Sequence, residues 1–156
     1  RGNIDTRISK INNKDYDGII LAKAGIKSLN LNHLISQEFS TQEIIPSAGQ
    51  GIVSIQCREA DIEIIKLLDE VNDKISSISA QAERKVLKIL EGDCHTAVGI
   101  FSNINKDDFE IRGELFSFDG KQRFFKIIKD KISNFLKASI ELGEYLKSES
   151  KDSYKK

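Results

Sequence analysis

The apolar spacing of this chain changes period at one place, the stretch Leu90-Glu91-Gly92-Asp93-Cys94-His95, and that change constrains the fold more than any other feature. Before it, Ile75, Ile78, Ala82, Val86 and Ile89 follow helical spacing, Glu83, Arg84, Lys85 and Lys88 occupy other faces, and Gly92 suits the C-cap. After it the pattern alternates. Ala97 to Ile104 reads as a strand, and Phe109, Ile111, Gly113 and Leu115 alternate with Glu110, Arg112 and Glu114, as in a strand with one wet face. Asp119-Gly120 is a hairpin signal, with Gln122 to Ile128 as the return strand. Ile132, Phe135, Leu136, Ser139, Gly143 and Leu146 then line the inward face of a last helix. The second half therefore predicts helix, cysteine loop, three antiparallel strands and helix, a compact α+β unit.

The first half reads differently. Asp17-Gly18-Ile19-Ile20-Leu21-Ala22 is a short continuous apolar run, the pattern of a buried parallel strand. Ala24-Gly25 opens a short helical turn through Leu29 and Leu31. The loop Glu43 to Gly51 holds the chain's one proline, Pro46, and leads into Ile52 to Arg58 as a second strand. Asp61 can cap a helix carrying Ile62, Ile65 and Leu68. The polar run Asp69 to Asp73 is a natural boundary, giving residues 1–72 as α/β pieces, 73–148 as the α+β domain and 149–156 as a charged tail with nothing to bury. The α/β pieces hold too few strands to close a sheet. The chain also starts at Arg1 and contains no methionine, so a missing N-terminal part is expected.

Composition narrows the function classes. Lysine plus arginine and aspartate plus glutamate each number 24, so formal charge is zero and bulk attraction to nucleic acid or an anionic membrane is not expected. No apolar run reaches the ~18 residues of a membrane span, and no signal peptide is visible. Two cysteines, Cys57 and Cys94, are too few for a disulfide framework, and a reducing, cytoplasmic setting is the simpler reading.

Local chemistry leaves several options open. Arg1 and Arg7 flank a Gly-Asn turn signal, and guanidinium groups suit bidentate pairing with carboxylates or phosphates, although on composition alone a solvated, frayed terminus is the simpler reading. Gly49-Gln50-Gly51 is neither a P-loop nor a dinucleotide fingerprint, so a tight turn accounts for it. Cys57 reads as a small core residue and His33 as an ordinary surface or core histidine. No metal-ligand cluster or serine–histidine–acid set stands out. A turn can carry a side chain away from packing, which makes Cys94 a candidate reactive group. Its position just past a helix C-terminus, however, disfavours a thiolate, and the neighbouring His95 rarely has the geometry of a base.

Four stretches in order mean more together: Arg-Gly-Asn-Ile-Asp-Thr-Arg-Ile (1–8), Tyr-Asp-Gly-Ile-Ile-Leu-Ala-Lys-Ala-Gly-Ile (16–26), Ile-Pro-Ser-Ala-Gly-Gln-Gly (45–51) and Glu-Gly-Asp-Cys (91–94). In order and spacing the chain resembles the hydroxymethylbilane synthase, or porphobilinogen deaminase, family. The resemblance implies a three-domain transferase of tetrapyrrole (porphyrin, heme) biosynthesis, active as a cytoplasmic monomer. Its first two domains are similar to the lobes of periplasmic binding proteins. Its third carries a dipyrromethane cofactor on a loop cysteine by a thioether. Four porphobilinogen units are condensed on that primer, each losing ammonia, and the product is released by hydrolysis.

Carried over residue by residue, the resemblance implies Cys94 as the attachment point. It also implies Arg1, Arg7, Arg58, Arg84 and, more weakly, Gln50 around the carboxylates of cofactor, porphobilinogen and growing polypyrrole. The family's catalytic aspartate belongs to the N-terminal lobe, so no acid here is assigned that role and the isolated piece is expected to be inactive. Ser28 stands where the family usually has an arginine, with Lys27 beside it, and Asp93 replaces a usual glycine. The competing reading is a non-catalytic anion-binding module of the periplasmic-binding-protein type using Arg1, Arg7 and Arg58; a thiol redox protein is a third.

Overall fold

The computed structural model describes residues 2–92 and 95–156 and divides the chain into two units, Arg1–Ser40 and Thr41–Lys156. In the first unit, α1 spans Ile4–Asn12 and α2 spans Lys23–Ser28, followed by a 3-10 turn at Asn32–Leu34. Gly25 allows close approach to α1, since a Cβ there would lie 2.7 Å from Ile4 Cδ1. Ile26 is the buried apolar residue of this unit.

The second unit begins with the glycine loop and α3, Ile62–Val71, and continues through α4, Lys74–Leu90. The sheet follows: β1 Val98–Asn105, β2 Asp108–Phe116 and β3 Arg123–Lys131, antiparallel in the order β1-β2-β3. Register runs from Val98 opposite Leu115 to Asn105 opposite Asp108, and from Asp108 opposite Lys131 to Phe116 opposite Arg123. Gly120, at φ 70°, supplies the left-handed turn between β2 and β3. The closing helix α5 is Phe135–Ser150. The expected helix, three antiparallel strands and helix are all present.

One face of this sheet is covered by α4 and α5. Val86, Leu90, Ile100, Phe109, Ile111, Leu115, Leu142 and Leu146 form the centre of the core at 1% exposure or less. Gly143 lets the two helices meet, because a Cβ there would lie 2.9 Å from Ile89 Cδ1. Gly99 has a related role. The backbone of Ile45 and Pro46 lies against β1, with Ile100 N–H donating to Pro46 O at 2.8 Å, and a Cβ on Gly99 would sit 2.6 Å from Ile45 O.

Helix ends follow side-chain chemistry. Asp73 caps α4 by accepting from Ser76 N–H at 2.7 Å, whereas Asp61 makes no cap bond to α3 and instead accepts from Arg58 Nε at 2.9 Å. The left-handed residue closing α4 is Glu91, at φ 53°, rather than the expected Gly92.

Several expectations change. The runs 17–22 and 52–58 form no strand and join no ladder among the described residues, and Ile20, Val53 and Ile55 are exposed at 62%, 89% and 65%. Their composition suits a strand, but a strand exists only where a neighbour completes its ladder, and all strands among the described residues lie at 98–131. Residues 2–72 thus contain no sheet of the expected parallel kind. Cys57 is half-buried in one of these segments rather than in a strand core. Along α4 the inward stripe is Ala82, Glu83, Val86 and Leu90, and Ile75 is exposed. In α5, Ala138 and Leu142 face inward while Leu136 turns out. The tail also buries side chains, with Ser150 at 2% and Tyr154 at 3% exposure.

Candidate functional site

Arg1, Asp93 and Cys94 lie outside the described residues, so the site is built from what surrounds them in sequence. Arg7 sits on α1 of the first unit, half-buried, with Nη2 donating to Ile20 O at 3.3 Å. That bond fastens the apolar 17–22 run to the helix and leaves most of the guanidinium donors available. In the same unit Ser28 closes α2, its hydroxyl donating to Gly25 O at 2.9 Å, with exposed Lys27 beside it.

The other candidates belong to the second unit. Gly49 and Gly51 both take left-handed φ, 75° and 83°, producing consecutive turns through Ser47–Ile52. Gln50 stands exposed on this loop, steadied by its N–H to Ser47 O at 3.0 Å and by Ser47 Oγ to its own Oε1 at 3.2 Å. Arg58 is 87% exposed. Its Nε is held by Asp61, which leaves the terminal nitrogens open. Arg84 projects from an exposed face of α4 and makes no ion pair or hydrogen bond through its side chain with the other described residues.

Glu83, next to Arg84, is the group that sequence pattern missed. It is 4% exposed, yet it carries three accepted bonds: Gly49 N–H to Oε2 at 2.7 Å, and Ser102 N–H and Oγ to Oε1, both at 2.8 Å. One carboxylate thus joins the glycine loop, α4 and β1. Burying an anion is costly unless donors surround it, and three donors do so here. A cavity of about 160 Å³ opens beside it, lined by Ser47, Gln50, Ser76, Ser79, Glu83 and Ser102 among others. The sequence signal available for Glu83 was its place in the register 82, 86, 90, one residue off the apolar stripe.

The C-terminal end of α4 is also elaborated. Glu91 N–H bonds Leu87 O at 3.0 Å, Lys147 Nζ donates to Ile89 O at 3.1 Å, and the Tyr154 hydroxyl donates to Leu90 O at 2.6 Å. Lys147 also pairs with Glu91 at 2.9 Å, and Lys155 approaches the same carboxylate at 3.8 Å. The hydrogen bond and charge of Lys147, with Lys155 behind them, hold the Glu91 carboxyl below its ordinary range. Burial pushes the Tyr154 phenol up, so it remains a donor.

Dipyrromethane is a small carboxylate-bearing group, and the donor set suits it in kind. Arg84 has an uncommitted fork, Arg58 has free terminal nitrogens, and Gln50 offers an exposed amide on a fixed loop. No helix among the described residues is long and apolar enough to cross a membrane.

Two family models match in succession: "Porphobilinogen deaminase, dipyromethane cofactor binding domain" over residues 1–66 and "Porphobilinogen deaminase, C-terminal domain" over residues 77–151. Among similar proteins, the porphobilinogen deaminase of Clostridium botulinum (strain Kyoto) is 40% identical over 152 residues, 94% of this chain and 49% of the relative. Those of Clostridium novyi and Prochlorococcus marinus are each 38% identical, over 152 and 146 residues, covering 96% and 94% of this chain and 51% and 45% of the relatives. The chain spans about half the length of the curated relatives it matches. With both models in register and the relatives aligned along nearly all of it, the chain belongs to the porphobilinogen deaminase family.

Proposed function

We propose that this chain is the C-terminal portion of a hydroxymethylbilane synthase, with residues 73–148 carrying the cofactor on Cys94 and residues 1–72 contributing to binding-protein-like lobes completed by further sequence. The family models support a division near residue 72, one ending at 66 and the next starting at 77. The runs 17–22 and 52–58, strand-like in composition but outside any ladder among the described residues and with Val53 and Ile55 exposed, fit segments that pair with strands outside this chain.

The observation that carries the reading is the convergence on α4. The helix presents the open Arg84 fork, ends at Leu90 shortly before Cys94, and through Glu83 holds the loop that bears Gln50. When bound, dipyrromethane supplies the primer to which porphobilinogen units are added with loss of ammonia. This chain's residues act around it. Arg84 and Arg58 hold carboxylates of primer and incoming unit and Gln50 orients them by hydrogen bonding, while Arg1 and Arg7 are carried over from the family resemblance as carboxylate-binding arginines. A thioether at Cys94 makes the attachment permanent, because it resists hydrolysis at neutral pH.

Intact-mass spectrometry of the full-length protein tests this directly. The dipyrromethane mass is expected on the unsubstituted protein, with colour from Ehrlich's reagent, and is lost in Cys94→Ser. Active protein without the added mass refutes the reading, as does turnover of porphobilinogen by the 156-residue piece alone.

A further inference from the structure

The last four carbonyls of a helix lack intrahelical partners, and most helices answer them with amides of the residues that follow. Among the described residues, α4 does so only in part. Glu91 N–H takes Leu87 O, but the carbonyls of Ile89 and Leu90 are met from the far end of the chain, by Lys147 Nζ on α5 and by the Tyr154 hydroxyl. The tail is shaped for this contact. Lys151 and Asp152 both take left-handed φ, 47° and 60°, reversing the chain just after α5. Ser153 N–H returns to Ser150 O at 2.8 Å, and Ser153 O accepts from Phe118 N–H at 2.8 Å, which fixes the tail to the β2–β3 turn. Tyr154 then enters at 3% exposure, in contact with the core, although the other eight of the last nine residues are charged or serine.

Non-glycine residues in left-handed backbone cost free energy, and Glu91, Lys151 and Asp152 all adopt it. Their side chains are tied to one another through lysines: Glu91 to Lys147 and Lys155, and Asp152 to Lys155 at 2.9 Å. Cationic groups at a helix C-terminus are favourable in themselves. Tyr154 and Lys155 lie beyond residue 151, where the family match ends.

We propose that the C-terminal segment is a positioning clasp: Tyr154 and Lys147 fix the backbone of residues 89–92, and with it the point from which the Cys94 tether departs. The inference rests on the cofactor-carrier reading for its consequence, but its structural half stands apart. The carbonyls of Ile89 and Leu90 thus tie residues 89–92 to the far end of the chain through side chains. With the departure point fixed, each added unit advances the growing end by a defined length instead of being taken up as slack at residues 89–92.

The test uses the full-length protein, unsubstituted and as Tyr154→Phe, with removal of residues 152–156 as a second variant. Amide hydrogen exchange reads the clasp directly. Loss of one hydrogen bond to Leu90 O is expected to raise exchange at Glu91 and Gly92 about fivefold while the β1–β2 amides stay unchanged. Intact mass then reads the consequence: the dipyrromethane-loaded fraction stays the same, but after limiting porphobilinogen the distribution shifts toward species with fewer added units. Unchanged exchange at residues 91–92 in both variants overturns the clasp, and unchanged unit distribution despite faster exchange overturns its positioning role. Absence of the dipyrromethane mass from unsubstituted protein defeats the carrier reading instead, with the exchange result still deciding the clasp.

Discussion

Replacing Glu83 by alanine should damage this protein more than any comparable change on the polar surface. The carboxylate is 4% exposed and accepts from Gly49 N–H, Ser102 N–H and Ser102 Oγ at 2.7–2.8 Å. Hydrogen bonds to a charged group contribute about 1.5–3 kcal/mol each and buried neutral donors left unsatisfied cost about 1–3 kcal/mol each, but three on one carboxylate are not additive. With about 2–4 °C of melting temperature per kcal/mol for a chain of this size, a loss near 4 kcal/mol lowers the midpoint by about 8–16 °C. Glu83→Gln is the sharper comparison. One amide oxygen can keep both Ser102 donors, but the NH₂ then faces Gly49 N–H, so a single bond is exchanged for a donor–donor clash costing about 1–3 kcal/mol. Thermal melting by far-UV circular dichroism, repeated as urea midpoints, measures both. An alanine variant melting within about 3 °C of the parent, or a glutamine variant as unstable as alanine, refutes the three-way link assigned to Glu83.

The two helix starts should differ sharply: Asp73→Ala removes a cap bond of 2.7 Å and costs about 1 kcal/mol by urea denaturation, while Asp61→Ala, which has no cap bond to lose, stays within about 0.5 kcal/mol. Glu91 titrates below the ordinary glutamate range because of Lys147. Its contribution is therefore present above the unfolded value and lost as pH falls through the lowered folded value, and carboxyl-carbon NMR should show Lys147→Met returning it toward normal. Arg84→Ala should leave the melting temperature within about 2 °C, since the side chain is exposed and unpartnered among the described residues. It should lower kcat/KM of the full-length enzyme for porphobilinogen about 10–100-fold, with Arg84→Lys between the two.

How far the fold could be read from sequence depended on whether the deciding contacts were local. The period change at residues 90–98 and the Asp119-Gly120 turn are local signals, and the strands and hairpin came out within a few residues of expectation. The runs 17–22 and 52–58 also carried strand composition, but they meet no ladder among the described residues, and composition cannot supply one. Glu83 was placed with Arg84 and Lys85 as surface because a charge one position off an apolar stripe usually is. Only the distant Gly49 and Ser102 make its burial tolerable. Tyr154 was hidden for the same reason: eight polar-looking residues read as a solvated tail until two left-handed residues turn them back onto α4. Of the candidate site, the arginines were legible as chemistry, while the loop holding Gln50 became a defined element only through Glu83.

The electrostatics at the end of α4 bear on what a cysteine following it is for. A reactive thiolate needs a surplus of positive field, from a helix N-terminus or unpaired cations. Here the helix presents its negative end. The two lysines gathered there are already committed: Lys147 to Glu91 and a backbone carbonyl, and Lys155 to Asp152 and, at longer range, Glu91. The charges of these two lysines are thus answered by carboxylates, and the helix dipole opposes ionisation, with exposed Lys88 of the last turn the one cation there without an ion pair among the described residues. Such an end is poorly suited to a thiol that must be repeatedly activated, as redox or nucleophilic cycling requires. It is well suited to a thiol that reacts once and thereafter serves as an anchor, because the demand then falls on the rigidity of residues 89–92, and that is where Tyr154 and Lys147 place their bonds.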